Sequence, residues 1–514
     1  MALNPRVKSI IFITTGLIIF TISAITYAIF NHKTHYQYGV LVDSGNPNVT
    51  ISLYRWPVGR LNSTGLAELA ETCISSDLTD YLSNSTDLST VYQPCLSRVI
   101  GSLDDDQQSS STSQLFFTVS GPLMLLNSSN GREVASLIQS SIEYLTNATK
   151  LNVQPVQVIN DQAGSVFPWI AVNSLEARNY FPESTGVTTI KHTGVIELSF
   201  TGSSISFEVT NSSLITSDQI KSSLVNVTLF GNNHTLWEKY SCLGSDKGRL
   251  RYLVELISGS SETTVGDPCL PIGVNQTINT LDLISPHDPC LIQHLTKSLT
   301  ESNKEFTLMG KGDGSTCSKL ISDLLTDKSK CSDNPSTCYS PPALAPENTV
   351  YTAVADLLYP VTVLKMTNAN HTIDYENYYN QSLNLCSMSR DDLLITSGGK
   401  LAPTSLCFQL LYNYHTIESV FGLKGDNWSR IVFDPNLRGD STINWSTGFM
   451  INATTSIPLQ SVPKVWFNWV FFLVLTAISL VYLVIGAYFL ASSLRTQRVP
   501  NKEIYEPIQQ QPQP

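Results

Sequence analysis

The chain has 514 residues, with 31 Lys+Arg against 42 Asp+Glu and a net charge of −11. Only 14% of its residues are charged while 42% are hydrophobic, against roughly 25% charged in an ordinary soluble domain. The acidic balance excludes a basic nucleic-acid-binding face, so no nucleic acid is expected as a partner, and the length suits more than one domain.

Along the chain, a short tail at residues 1–9 carries Arg6 and Lys8. Residues 10–30 then form an uncharged apolar run of 21 residues, enough for the roughly 20 that cross a bilayer as a helix. It reads as an uncleaved anchor, with a cleaved signal peptide ending near Ala28 as the alternative. Tyr38 to Asp43 is a short apolar strand ending in an acid. Dense turn chemistry follows at residues 44–48, and residues 49–56 alternate apolar and polar as a half-buried strand does. The pattern recurs about 154 residues later. Gly194 to Glu197 is apolar and ends in an acid, residues 198–203 form the turn, and residues 204–209 alternate. Asp43 and Glu197 occupy equivalent positions, which suggests a duplicated lobe with both acids beside a shared cleft.

Between and after these hairpins the pattern is α/β. Residues 114–119 and 156–159 read as strands. Residues 133–145, 163–175, 250–257 and 407–423 have helical spacing, and residues 317–346 read as a loop held by cysteines. A second uncharged run, residues 465–491, is followed by Arg495, Arg498 and Lys502. The positive-inside bias puts both tails in the cytoplasm and residues 31–464 on the other side. The spans offer a route to homo-oligomers, although no GxxxG marks a face.

All ten cysteines and fourteen Asn-x-Ser/Thr sequons, from Asn48 to Asn452, fall between the two runs. Five disulfides and a glycosylated ectodomain in an oxidising compartment follow. The eight His are scattered and read as satisfied or exposed side chains rather than metal ligands.

Several segments resemble the nucleoside phosphatase (apyrase) family, in particular its membrane-bound ecto-nucleoside triphosphate diphosphohydrolases. Val42-Asp43-Ser44-Gly45 through Tyr54-Arg55-Trp56 is similar to the D-A-G-S-S-H-T…Y-K-W opening motif. Residues 163–175, with Trp169 and Asn173, resemble the E-G-x-Y-G-W-I-T-x-N-Y-L segment. Residues 194–207 stand where the family has G-A-L-D-L-G-G-A-S-T-Q-I-T-F. Residues 267–273 resemble N-P-C-x-P-x-G, and residues 445–450 resemble W-T-L-G-Y-M.

The resemblance implies an α/β fold of two actin/ribonuclease-H-like lobes facing a central cleft, flanked by transmembrane helices. Its expected boundaries are a cytoplasmic tail at 1–9, a span at 10–30, lobe I at 31–176 and lobe II at 177–440. A return segment to lobe I and stalk at 441–464, a span at 465–491 and a cytoplasmic tail at 492–514 complete them. It implies hydrolysis of extracellular nucleoside di- and triphosphates with Ca2+ or Mg2+. Asp43 and Glu197 would hold the metal through water. Ser44, Gly45, Asn46, Ser199, Gly202 and Ser203 would cradle phosphate, and Trp445 would line the nucleotide cleft. The implied disulfides are Cys73–Cys95, Cys242–Cys290, Cys269–Cys317, Cys331–Cys338 and Cys386–Cys407.

The departures from the family fall on chemistry. Glu197 replaces an Asp, Pro47 replaces a Ser, Ser199-Phe200 replaces Gly-Gly and Ser204 replaces a Gln. Gly164 or Ala163 occupies the slot of the catalytic Glu, leaving Asp161 as the nearest substitute base. Loss of a general base alone typically costs 10²–10⁴-fold. A catalytically impaired relative that binds nucleotides or a partner is therefore the alternative to an active ecto-nucleotidase.

Overall fold

The computed structural model describes residues 4–31, 36–44, 48–58, 60, 62–76, 78, 87–103, 113–119, 131–159, 161–180, 192–200, 202–209, 223–241, 243–258, 260–283, 304–326, 349–434, 445–457 and 466–497. Two compact units divide the chain, one from both termini (Met1–His35 with Gln460–Pro514) and one from Tyr36–Leu459.

In the terminal unit, α1 (Pro5–Asn31) packs against a 32-residue helix, Trp466–Gln497. Both helices are long and apolar enough to cross a membrane. Small residues set their contact. Ser9 Oγ donates to the Gly486 carbonyl at 2.9 Å, and Ser479 Oγ donates to the Gly16 carbonyl at 2.8 Å. A Cβ on Gly486 would lie 2.6 Å from Ile13, so the glycine admits the close approach. No GxxxG was needed; one glycine per helix and a reciprocal serine bond perform that role.

The large unit is built on two sheets of matching topology. In the first, β1 (Tyr36–Asp43), β2 (Thr50–Pro57) and β3 (Glu68–Ile74) form an antiparallel meander, followed by α2 (Leu88–Gly101). Then β4 (Gln114–Val119) adds parallel to β1. After α3 (Gly131–Ala148), the two-residue strands β5 (Asn152–Val153) and β6 (Gln157–Val158) both pair parallel with β4. The helix α4 (Asp161–Tyr180) leads to the second sheet.

There β7 (Gly194–Leu198) pairs antiparallel with β8 (Ser203–Glu208). An edge hairpin, β9 (Leu224–Leu229) and β10 (Asn232–Ser241), adds through β10. The helix α5 (Ser245–Ser258) follows. A small sheet of β11 (Thr264–Asp267), β12 (Asn275–Asn279) and β13 (Glu305–Gly310) comes next. After α6 (Gly314–Thr326), β14 (Tyr351–Ala355) lies parallel to β7. The helices α7 (Tyr375–Cys386) and α8 (Pro403–His415) precede β15 (Ile431–Val432), which is parallel to β14. Last comes α9 (Trp445–Thr454).

Strand parity explains the layers. In β1, Val40 and Val42 pack with Val91 of α2 and Leu137 of α3, whereas Leu41 packs with Trp169 of α4 and Met450 of α9. In β7, Ile196 and Leu198 face a core containing Tyr252 of α5 and Leu410 of α8, whereas Val195 joins the Trp169 and Met450 core. The helices α4 and α9 are thus packed between the two sheets. Being covered from both sides, α4 is apolar nearly all round: Val166, Phe167, Trp169, Ile170 and Val172 are all buried. The α4–α9 crossing depends on Gly448, whose Cβ would fall 1.8 Å from the Phe167 carbonyl oxygen.

Three disulfides are formed among the described residues, Cys73–Cys95, Cys269–Cys317 and Cys386–Cys407. Cys242, Cys290, Cys331 and Cys338 lie outside them. Some expected elements need correction. Cys317 does not sit in a loop: it is inside α6, because Cys317, Ile321, Leu324 and Leu325 recur on one buried face. Residues 250–257 are only part of α5, which starts at Ser245. The helix expected over 407–423 begins at Pro403, whose fixed φ suits a first helical turn, and loosens into a π-turn at Thr416–Val420.

Candidate active site

Asp43 closes β1, paired with Thr50 across the hairpin and with Thr118 on β4. It shares the face of Leu41, two residues earlier, and so is turned toward the side where the second sheet lies. Its carboxylate is nearly buried, with Thr118 Oγ1 at 3.5 Å from Oδ1. Ser44 is tied down beside it: its N–H and hydroxyl both donate to the Thr118 carbonyl, at 3.1 and 2.7 Å. Gly45 and Asn46 of the expected phosphate turn, and Pro47 with them, lie outside the described residues. Asn48, the sequon residue, is exposed.

Glu197 holds the matching place in the second sheet, opposite Ser204 on β8 and Val354 on β14. Parity puts it on the face of Val195, again toward the intervening helices. Ser204 Oγ donates to Glu197 Oε2 at 3.2 Å. Burial pushes the Glu197 carboxyl up to about 7. The Ser204 bond opposes that shift and the charge of Asp356 adds to it.

Asp356 is the acid that motif reasoning missed. It follows β14 directly, and Ala355 before it has φ +55°, a left-handed conformation that non-glycine residues adopt mainly where the fold demands it. The bend lets the Asp356 N–H donate to the Leu198 carbonyl at 2.9 Å. Ser245 at the start of α5 donates its hydroxyl to Asp356 Oδ2, and Asn413 Nδ2 donates to the Asp356 carbonyl at 2.8 Å. Burial raises the Asp356 carboxyl, against the Ser245 bond. A signal did exist: Tyr351–Ala355 is an apolar strand ending in an acid, the same pattern that marked Asp43 and Glu197.

The second turn closes on itself. Ser199 N–H donates to the Gly202 carbonyl at 2.8 Å, and Gly202 N–H donates to Ser199 Oγ at 3.1 Å. Gly202 is glycine because a Cβ would overlap the Tyr240 ring. Ser203 belongs to β8 and its hydroxyl pairs with that of Ser241 at 2.8 Å. In α4, Asp161 and Ala163 begin the helix, with side chains outside the described residues. Gly164 faces open space: a Cβ there meets no atom within 4 Å. Next to it, Ser165 Oγ donates to the buried Glu238 Oε2 at 2.6 Å. Trp445 is half-buried at the start of α9, edge-on to Phe449.

Asp43, Glu197 and Asp356 thus lie at or just past the C-terminal ends of β1, β7 and β14, where ligands of α/β sheets bind. Their carboxylate oxygens are the donors hard cations such as Ca2+ or Mg2+ take.

Residues 29–465 match the GDA1/CD39 (nucleoside phosphatase) family. Human (Homo sapiens) ectonucleoside triphosphate diphosphohydrolase 3 is 25% identical over 442 residues, 83% of this chain and 79% of that protein. Rat (Rattus norvegicus) ectonucleoside triphosphate diphosphohydrolase 1 is 21% identical over 476 residues, 89% of either chain. The crystal structure of nucleoside triphosphate hydrolases from Neospora caninum shares the fold with a TM-score of 0.57, at 12% identity, covering 82% of this chain and 93% of that one. With that family match running across most of its length, the chain belongs to the GDA1/CD39 (nucleoside phosphatase) family, as a divergent member.

Proposed function

We propose that the chain is a membrane-held ecto-nucleotidase that takes extracellular nucleoside di- and triphosphates with Ca2+ or Mg2+ and hydrolyses their phosphoanhydride bonds slowly. The observation that carries this reading is the pairing of Asp43 and Glu197 at one register position of two matching hairpins, on the sheet faces turned toward each other. In this reading Asp43 and Glu197 hold the hydrated cation, with Asp356 at hand, and the backbone of the two turns orients the phosphates. A bound divalent ion supplies charge neutralisation of the phosphate oxygens. Attack by water needs a carboxylate to take its proton. Gly164 and Ala163 offer none, so that duty falls to Asp161, at reduced efficiency.

The test is phosphate release from ATP and ADP by the full-length protein in detergent, with calcium, magnesium or EDTA. Release that requires the metal and drops at least 100-fold in Asp43→Asn is expected, by the scale of lost electrostatic stabilisation. A second reading, nucleotide binding without turnover, is favoured by the self-satisfied Ser199–Gly202 turn. It predicts a thermal shift with ATP and no phosphate. Neither release nor shift would sink both.

A further inference from the structure

Three side chains converge at the end of the second sheet remote from the acids. From Ser204, opposite Glu197, β8 runs four residues to Glu208, about 13 Å along the strand. There Glu208 Oε2 lies 2.8 Å from His192 Nδ1, and Glu208 Oε1 lies 2.8 Å from His234 Nδ1. One donor atom from each of the three residues can be taken with all within 4.8 Å of one another.

The fold brings them together from separate segments. Glu208 ends β8 opposite Leu236 of β10, and His234 shares the Leu236 face of that strand. His192 enters just before β7. Its neighbour Thr193 is clamped by Asn173 of α4: the Thr193 N–H donates to Asn173 Oδ1 at 2.9 Å, and Asn173 Nδ2 donates to the Thr193 carbonyl at 3.2 Å. The two imidazoles meet edge-on with centroids 4.6 Å apart, and both rest against Trp169. The Glu208 side chain retains 24% of its exposure and His192 13%, which leaves a way in for an ion.

We propose that His192, Glu208 and His234 form a zinc site, distinct from the cation position at Asp43 and Glu197. Two imidazole nitrogens and one carboxylate oxygen are a ligand set that borderline Zn2+ takes, with water in the fourth position. Calcium and magnesium prefer all-oxygen shells. Zinc enters between the Nδ1 atoms and the carboxylate. Each ring keeps one proton, moved from Nδ1 to Nε2, and Glu208 offsets part of the ionic charge. The 2.8 Å between each Nδ1 and its carboxylate oxygen widens to about 3.3 Å, the donor spacing that tetrahedral bonds of roughly 2.0–2.2 Å require. The ion would cross-link the entry to β7, the end of β8 and the start of β10, and so stabilise the folded chain by mass action.

The test uses full-length protein in detergent, stripped with a chelator and dialysed against ZnCl2 in excess MgCl2. Metal content is read by mass spectrometry and the unfolding midpoint by calorimetry. One zinc per chain and a raised midpoint are expected. Both persist in Asp43→Asn and fall at least tenfold in affinity in His192→Ala and His234→Gln. Because those variants can fail by misfolding, Co2+ is added to the unaltered protein as a second readout. A saturating visible spectrum of a tetrahedral site at one equivalent supports the proposal. No retained zinc, zinc bound equally by the folded His variants, or a Co2+ spectrum unchanged from free ion would each overturn it and leave a hydrogen-bonded triad only.

Discussion

The β1–β2 and β7–β8 hairpins share a backbone and differ in chemistry. In each, an acid pairs with the residue seven positions on, Asp43 with Thr50 and Glu197 with Ser204, and in each a parallel strand lies on the other side. Asp43 has hydroxyl and carbonyl groups of Ser44 and Thr118 around it. Glu197 accepts from Ser204, feels the charge of the half-buried Asp356, and holds its proton up to about 7. The two hairpins therefore place their acids alike, and the local lining decides how tightly Glu197 keeps its proton. A cation held there at neutral pH would itself have to draw the proton off Glu197.

The largest effect comes from testing whether the site lacks only a base. The family resemblance puts the catalytic Glu at Gly164 or Ala163, and a Cβ at Gly164 has free space in the first turn of α4. Gly164→Glu also exchanges a poor helix former for a good one. A rise in kcat for ATP of about 100-fold is expected, within the range a general base contributes, read as phosphate release. An unchanged rate in a folded variant would show that the deficit lies in the hairpins, not in α4.

Next comes the held proton of Glu197. Because burial raises the folded-state pKa of Glu197 from 4.5 to about 7, the unfolded chain releases this proton first as pH rises. Stability is thus fully present below the unfolded value and is lost as pH climbs through 7. Glu197→Gln removes that loss. In EDTA at pH 8 it should stabilise the protein by roughly 3 kcal/mol, with no gain at pH 4.5, as read from urea midpoints. A gain no larger at pH 8 than at pH 4.5 would show that burial does not hold the Glu197 proton.

What the sequence disclosed followed from short-range pattern. Alternation and turn residues exposed both hairpins, and with them the acid positions. Partners distant in sequence stayed hidden. Asp356 acts on Glu197 only because β14 lies parallel to β7, a pairing across more than 150 residues that no local period encodes. His192, Glu208 and His234 look scattered until β8 and β10 are zipped together. The sandwiching of α4 was equally illegible. A helix buried on two sides loses the one-sided stripe that periodicity detects, so its apolar residues identified a helix but not its place between two sheets.

The smallest effect concerns the turns themselves. Ser199 Oγ accepts the Gly202 N–H and donates to the Gly202 carbonyl, so the hydroxyl consumes a donor that a phosphate would use. Ser199→Ala frees that N–H while the Ser199 N–H keeps its bond to the Gly202 carbonyl. A net hydrogen bond is worth about 0.5–1.5 kcal/mol, so affinity for a non-hydrolysable ATP analogue should tighten between about 2- and 10-fold by calorimetry. Ser44→Ala is the control in the first hairpin. There the hydroxyl and the N–H both donate to Thr118, and removing the hydroxyl liberates no donor. Tightening in Ser199→Ala alone would locate the second turn's weakness in one side chain. The same change in both variants would mean that the two turns do not differ in the way their hydrogen bonds suggest.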